Sequence, residues 1–241
     1  NNVTADKFGN IYAVGYFLGT GQYDFGNGVT VSSGNTDDDS YENAVIVKYN
    51  SSGTTQWAKS VATPPACSEF ENVAVDNSGN IYAVGYIGDN TGNKSGPFDF
   101  GNSVTVNGGS EYGQNIVIVK YNSSGDAQWA KSTLAQGNPS NSLFNGIAVD
   151  SSENIYTVGY IDGVTQNEYY FGNEVMTHGI AACPGTAIIV KYNSSGIAQW
   201  AQATVTASDQ SLFEEVTVDS DNIFIVGHID GSDQFDFGND V

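Results

Sequence analysis

The sequence is poor in positive charge, sulfur and histidine. Arginine is absent, seven lysines face 27 acidic residues, and the formal net charge is −20. Such a chain repels phosphate backbones and anionic lipid headgroups, so we expect no nucleic-acid partner. No apolar run approaches the roughly 18 residues that span a bilayer, so we expect no membrane insertion either.

The motifs of common catalytic sites are also missing. There is no Gly-x-Ser-x-Gly elbow, no His-Glu-x-x-His zinc motif and no metal-type cysteine spacing. The only histidines are His178 and His228. We therefore expect no enzyme, although paired carboxylates for glycoside hydrolysis stay open because they can be distant in sequence.

What the chain does contain is one pattern repeated four times. Its first half comprises Val73–Asp76 and Gly79–Tyr86 and returns around Ile11, Ile155 and Ile223. Its second half, Val119–Gly125 followed by Gln128–Ala130, returns only at two further places, around Lys48 and Lys191. The period is about 70 residues, which suits a unit of several strands rather than one solenoid coil. The sequence thus holds three full repeats and one half.

Each repeat reads as four short strands separated by turns. The predicted strands are Val73–Val75, Ile81–Ile87, Ile116–Tyr121 and Ala127–Ala130, the third of them apolar enough to be buried on both faces. Asp, Asn, Ser and Gly between the first two strands predict a tight hairpin. The second strand has an interior glycine in every copy, which predicts a bulge or close backbone approach; these glycines are Gly15, Gly85, Gly159 and Gly227.

Repeated four-stranded sheets must stack because a lone sheet cannot bury both apolar faces. The predicted fold is all-β, a β-propeller of four-stranded antiparallel blades. We treat residues 1–241 as a single repeat region, with units of approximately 1–69, 70–143, 144–212 and a partial 213–241. Between strands two and three lies an insert of variable length that carries a Phe-Gly-Asn motif and is the expected binding surface.

The pattern Val-Ala-Val-Asp-x-x-Gly-Asn-Ile-Tyr-x-Val-Gly-Tyr, followed by Ile-Val-Lys-Tyr-Asn-Ser-Ser-Gly, resembles the bacterial SBBP repeats of seven-bladed β-propellers. More distantly, it resembles NHL-type blades. The resemblance covers nearly the whole chain and implies a bacterial protein that is extracytoplasmic: secreted, periplasmic or on the cell surface. It implies no particular activity.

A conventional propeller ring has about four to eight blades, which is more than the three and a half blades of this chain. We expect the chain to be part of a longer repeat protein. The alternative is an open stack that associates through exposed blade edges.

Recurring residues are first explained by the needs of every blade. The equivalent tryptophans Trp57, Trp129 and Trp200 are expected to pack between blades rather than form sugar-stacking platforms. The equivalent lysines Lys48, Lys120 and Lys191 are expected to pair with repeat aspartates instead of forming an anion site; these aspartates are Asp76, Asp150 and Asp219.

Two acidic clusters raise the question of calcium: Asp37–Asp39 with Glu42, and the group of Asp230, Asp233, Asp236 and Asp240. Neither has the alternating ligands and turn glycine of a calcium loop, and the run around Asp219 is too short. We predict no cofactor, with calcium as the open alternative. Cys67 and Cys183 lie at different phases of the repeat, which favours two separate thiols over a disulfide.

The expected function is a non-catalytic binding or scaffold module for protein or glycan ligands. Four tyrosines of the inserts are the candidate contacts: Tyr23, Tyr112, Tyr169 and Tyr170. The alternative is a structural subunit of a surface layer or filament that assembles through repeat faces. A propeller hydrolase or lyase would require carboxylates clustered at the centre of the ring.

Overall fold

The computed structural model describes residues 1–34, 41–62, 64, 66–88, 96–108, 113–136, 141–163, 168–181, 183–205, 209–219, 222–231 and 234–237. All regular secondary structure in these ranges is β-strand. They contain no helix long and apolar enough to cross a membrane. The predicted all-β class is therefore confirmed.

Three four-stranded antiparallel sheets and one two-stranded sheet follow the four repeats. The first blade is β1 (Asn2–Ala5), β2 (Ile11–Leu18), β5 (Glu42–Tyr49) and β6 (Thr55–Ser60), with an insert hairpin of β3 (Gln22–Asp24) and β4 (Thr30–Ser32). The second is β7 (Ser68–Val75), β8 (Ile81–Ile87), β11 (Asn115–Tyr121) and β12 (Ala127–Ser132), with β9 (Pro97–Asp99) and β10 (Thr105–Asn107) as its insert.

The third blade is β14 (Ser142–Val149), β15 (Ile155–Ile161), β18 (Thr186–Tyr192) and β19 (Ala198–Ala203). Its insert strands β16 (Glu168–Gly172) and β17 (Val175–His178) pair with each other, and β16 also pairs with β13 (Leu134–Gln136), which follows the second blade. The half-blade is β20 (Ser211–Asp219) and β21 (Asn222–Ile229). In every unit the strands pair in the order of a meander, as the sequence predicts.

The blades are arranged radially. Each first strand lies against the first strand of the next unit, so β1, β7, β14 and β20 form a row along the inner edge. The fourth strands β6, β12 and β19 do not approach one another in this way. Together with the face-to-face stacking of the sheets, this arrangement is that of β-propeller blades.

The cores lie between blades rather than inside them. One apolar cluster joins the first two blades through residues such as Ile46 and Val119, and a second joins the next two through Val84 and Val190. The middle strand β11 is almost completely buried, as predicted from its unbroken apolar run. Burial on both faces explains why each blade needs a neighbour.

A bulge in the first strand explains the interior glycine of the second. The register of β7 against β8 shifts between Phe70 and Asn72, opposite Gly85. A Cβ atom at Gly85 would lie 2.0 Å from the carbonyl oxygen of Glu69. The same shift recurs opposite Gly159 and Gly227, so the predicted bulge and close approach are both confirmed.

Candidate functional site

The repeated tryptophans pack between blades. Trp57 lies against Gly125, in the Asn-Ser-Ser-Gly turn of the next blade, where an added Cβ atom would meet its ring at 2.8 Å. Its indole Nε1 donates to the carbonyl oxygen of Ser123, 3.2 Å away. Trp129 makes the same contact with the turn of the third blade, where its Nε1 lies 3.4 Å from the carbonyl oxygen of Ser194. Both contacts join neighbouring blades.

The repeated lysines do not form the expected ion pairs. Lys120 Nζ lies 5.2 Å from the centre of the Tyr82 ring, and it donates to the carbonyl oxygen of Ser194 at 3.2 Å. Lys48 is placed in the same way, with its Nζ 5.3 Å from the centre of the Tyr12 ring and 3.1 Å from the carbonyl oxygen of Ser123. The prediction of lysine–aspartate pairs was wrong for Lys48 and Lys120, because a ring face and a backbone carbonyl take the place of the carboxylate.

The repeat aspartates instead organise the hairpin turn. Asp76 accepts hydrogen bonds from the backbone N–H groups of Ser78 and Asn80 at 2.9 and 2.8 Å. Its other oxygen accepts from the Asn80 amide at 2.8 Å and the Tyr82 hydroxyl at 3.0 Å. Asp150 has the same set of partners, and these hydrogen bonds lower its pKa against the opposing effect of burial. Asp219 ends β20 at the equivalent position.

The insert tyrosines divide into structural and exposed positions. Tyr169 is fully buried in the core between the second and third blades, so its side chain cannot make the predicted ligand contact. Tyr23 is its equivalent in the first blade and is 36% exposed. Tyr170 is half-buried and donates to Glu168 at 2.6 Å. Tyr112 lies outside the described residues.

The described parts of the inserts pack on the outer side of their own blades. Asn102 and Asn173, from the Phe-Gly-Asn motif, donate to carbonyl oxygens at the start of the fourth strand at 2.9 and 3.0 Å. Both have positive φ, which asparagine tolerates better than most residues. The Phe-Gly-Asn motif is therefore a structural anchor of the insert.

Neither cysteine is part of a disulfide. Cys183 is buried with its Sγ 3.0 Å from the carbonyl oxygen of Asp209, and Cys67 is half-buried. Two separate thiols are therefore confirmed. Within the ranges that the structure describes, no group of three or more His, Cys, Asp and Glu side chains is placed to hold a metal ion. Asp37–Asp39, Asp233 and Asp240 of the calcium candidates lie outside those ranges.

Polar side chains meet along the row of first strands, and all of them except Tyr86 differ between blades. We call this set the inner band; it consists of Asn1, Glu42, Glu69, Glu71, Tyr86, Asn72, Asn145 and Glu215. Asn1 donates to Glu69 at 2.6 Å and to Glu71 at 3.2 Å. The Tyr86 hydroxyl is shared by Glu69, 3.0 Å away, and Glu42.

Farther along the inner band, an amide links three units. Asn72 is buried and its Nδ2 lies 3.0 Å both from the carbonyl oxygen of Asn145 and from a carboxylate oxygen of Glu215. Asn145 in turn donates to the carbonyl oxygen of Phe213 at 2.9 Å. The bulge produces this cluster, because the extra residue of each first strand is Glu71 or Asn145 and turns toward its neighbours.

Burial and crowding raise carboxylate pKa values in the inner band. Burial first, and then the charge of Glu69, raise the pKa of Glu71 to about 7. The pKa of Glu69 is also raised, mainly by burial, while hydrogen bonds from Asn1 and Tyr86 oppose the shift. The inner band therefore holds one carboxyl group, that of Glu71, that changes charge near neutral pH.

The raised pKa of Glu71 predicts a pH-dependent loss of stability. Because its folded-state pKa of about 7 exceeds the ordinary 4.5, the stabilisation is complete below pH 4.5 and is lost as pH rises through 7. Glu71→Gln should therefore match the wild type at pH 4 and exceed its free energy of unfolding by about 1 kcal/mol at pH 8, after allowance for solvent screening. Urea unfolding at both pH values measures the difference.

The control for this variant is Glu174→Gln, the same charge change in an exposed turn. It removes an equal share of the general repulsion from the net charge of −20. A gain at pH 8 that is equal in the two variants would show that Glu71 has no special role.

Comparison with known proteins supports the repeat architecture. Residues 131–164 match the β-propeller repeat named SBBP. This stretch contains β14 and β15, the first two strands of the third blade, whose counterparts open the other units. No curated protein matches the chain. The chain therefore carries an SBBP-type β-propeller repeat.

Proposed function

We propose that the chain is a non-catalytic, extracytoplasmic binding module for a glycan or protein ligand, and that the inner band is its contact surface. The observation that carries the proposal is a contrast between the repeated residues and the residues that vary. The repeated Trp, Lys, Asp and Phe-Gly-Asn residues make contacts within or between blades, whereas the inner band consists, apart from Tyr86, of polar residues that differ from blade to blade.

The chemistry of the inner band suits a neutral or cationic ligand. Carboxylates and amides accept and donate hydrogen bonds to hydroxyl groups, as a glycan requires, and the excess of acid repels anionic polymers. Glu214 and Glu215 are exposed at the half-blade end of the inner band, where a ligand can reach them. The extracytoplasmic location rests on the SBBP repeat alone.

The proposal is tested by affinity electrophoresis in gels that contain one soluble polysaccharide each: a β-glucan, a xylan, a mannan or the anionic alginate. We expect a neutral polysaccharide to retard the chain and alginate to leave it unaffected. Asn145→Ala should abolish the retardation, and Tyr170→Phe on the outer side should retain it.

A parallel arm uses immobilised cationic and neutral peptides at physiological salt, because a protein ligand would escape the polysaccharide panel. Binding that Asn145→Ala weakens, in either arm, supports the inner band. If nothing binds in either arm, or if all binding disappears with modest salt and ignores the variant, the proposal is wrong.

Two other functions have specific support. A structural subunit is favoured by the exposed apolar residues Phe224 and Val226 on β21, and it predicts concentration-dependent assembly in light scattering. A hydrolase or lyase is favoured by Glu69 and Glu71, since a carboxyl group with a pKa of about 7 can act as a general acid. Release of reducing ends from the same polysaccharides tests it.

A further inference from the structure

The contact between a tryptophan and the next Asn-Ser-Ser-Gly turn occurs twice in the structure, and a third tryptophan lacks a turn. Lys48 and Trp57 both donate to the carbonyl oxygen of Ser123, at 3.1 and 3.2 Å. Lys120 and Trp129 both donate to the carbonyl oxygen of Ser194, at 3.2 and 3.4 Å. One turn carbonyl thus receives two donors at each complete junction.

The third lysine and tryptophan are arranged in the same way. Lys191 Nζ lies 5.2 Å from the centre of the Tyr156 ring, as its equivalents do in the other blades. Trp200 is tilted against Tyr156 with ring centres 6.3 Å apart, close to the 6.1 Å of Trp129 and Tyr82. Within the described ranges no turn carbonyl accepts from Lys191 or Trp200. Both donors are thus already positioned for a turn carbonyl.

An open corner lies where that turn would sit. It is a cavity of about 320 Å³ bounded by Asp150, Tyr156, Lys191 and Ile223. A second groove of about 360 Å³ is lined by Ile189 and Gln202 of the third blade and by Ile225 of β21. Both are therefore bounded by residues of the third blade on one side and of the half-blade on the other.

The exposed residues of β21 mark the same gap. Ile223 and Ile229 are 37% and 51% exposed, whereas their equivalents in the second and third blades are fully buried; these equivalents are Ile81, Ile87, Ile155 and Ile161. Among the described strands, β21 pairs with β20 alone. An apolar strand with an open edge is a template for a further strand.

The complete junctions show what fills such a gap. Gly125 and Gly196 are buried because a tryptophan from the preceding blade covers each turn, whereas Gly53 has the same Asn-Ser-Ser-Gly sequence but is exposed and has no atom within 4 Å of an added Cβ. The turn sequence is identical in all three copies. Turn and donors are therefore interchangeable parts of one contact.

We propose that the open corner and the edge of β21 form a docking site for a β-hairpin of the pattern in β18 and β19: an apolar strand ending in Lys-Tyr, an Asn-Ser-Ser-Gly turn and a strand with Ala-Gln-Trp. The apolar strand pairs with β21 and covers Ile223 and Ile229. The second turn residue presents its carbonyl oxygen to Lys191 and Trp200. This inference is independent of ligand binding by the inner band.

The first test titrates the full chain into a fluorescein-labelled peptide of residues 115–132 and follows fluorescence anisotropy. Because Lys191→Met removes a hydrogen bond from a charged donor, it should weaken binding about tenfold or more. Lys59→Met, on the first blade, is the matched control and should leave the affinity unchanged.

The contact between turn and tryptophan is tested by a double-mutant cycle. Gly125→Ala in the peptide should weaken binding to the wild-type chain at least about tenfold, since the added methyl group meets the indole. The same peptide should lose much less affinity for Trp200→Ala. Equal losses on both chains would show that the turn does not lie on Trp200.

A second measurement tests the docking site even when the isolated peptide does not fold. The chain is extended after Val241 by a copy of residues 105–132, with and without Gly125→Ala. We expect a higher melting temperature and slowed hydrogen exchange in β21 for the unsubstituted extension only. An extension that changes neither overturns the proposal, as does a dimer in sedimentation that buries β21 and that the peptide does not dissociate.

Discussion

Gly85→Ala should lower the free energy of unfolding by about 4 kcal/mol, a loss typical of a severe core defect. The added Cβ atom would lie 2.0 Å from the carbonyl oxygen of Glu69 and 3.0 Å from the backbone nitrogen of Glu71. Both neighbours are backbone atoms of the bulge, which cannot rotate away as a side chain does. Relief of the clash must open the β7–β8 pairing in the central blade.

The measurement is the urea midpoint of Gly85→Ala against that of Gly21→Ala. Gly21 lies in an exposed connection, and an added Cβ atom there has no neighbour within 4 Å. The control should be neutral or slightly more stable than the wild type, since alanine restricts the unfolded chain. Similar midpoints for the two variants would mean that the bulge is not rigid and that the recurring glycine has another cause.

Such effects could be predicted in part from the sequence, because the repeat provides four copies of one structural unit that can be compared. The bounds of β8 agree with the prediction, since turn residues directly precede its run of β-branched and aromatic residues. The first strand was predicted as Val73–Val75 but begins at Ser68. Glu69, Glu71 and Asn72 interrupt its apolar pattern, and these are residues of the inner band. The strand was underestimated where it carries the candidate site.

Contacts between blades were harder to predict. The acceptor for Lys120 and Trp129 is a backbone carbonyl. Every residue has a backbone carbonyl, so the residue type does not identify the acceptor. The only sign of it in the sequence is the identical Asn-Ser-Ser-Gly turn, which reads as an ordinary turn signal. The insert hairpins were missed for a related reason, because strands of three residues such as β9 are too short to show a period.

Trp129→Ala should lower the free energy of unfolding by about 3 kcal/mol, as for other large aromatic residues removed from a packed contact. The indole joins the second blade to the third, because it covers Gly196 and contacts Tyr82. Its loss leaves a void between two sheets and exposes Gly196, which is otherwise buried. Urea unfolding and the hydrogen exchange of β18 and β19 measure the effect, which should extend to the third blade.

Trp200→Ala is the matched control, since Trp200 has the same neighbours in its own blade but covers no turn among the described residues. Its loss should cost about 1 kcal/mol, the share of the indole that packs on its own sheet. Equal costs for the two variants would mean that the turn adds nothing to the contact, and the basis for hairpin docking would be lost with it. If the hairpin docks as proposed, Trp200→Ala becomes as costly as Trp129→Ala once residues 105–132 are appended, because both tryptophans then cover a turn.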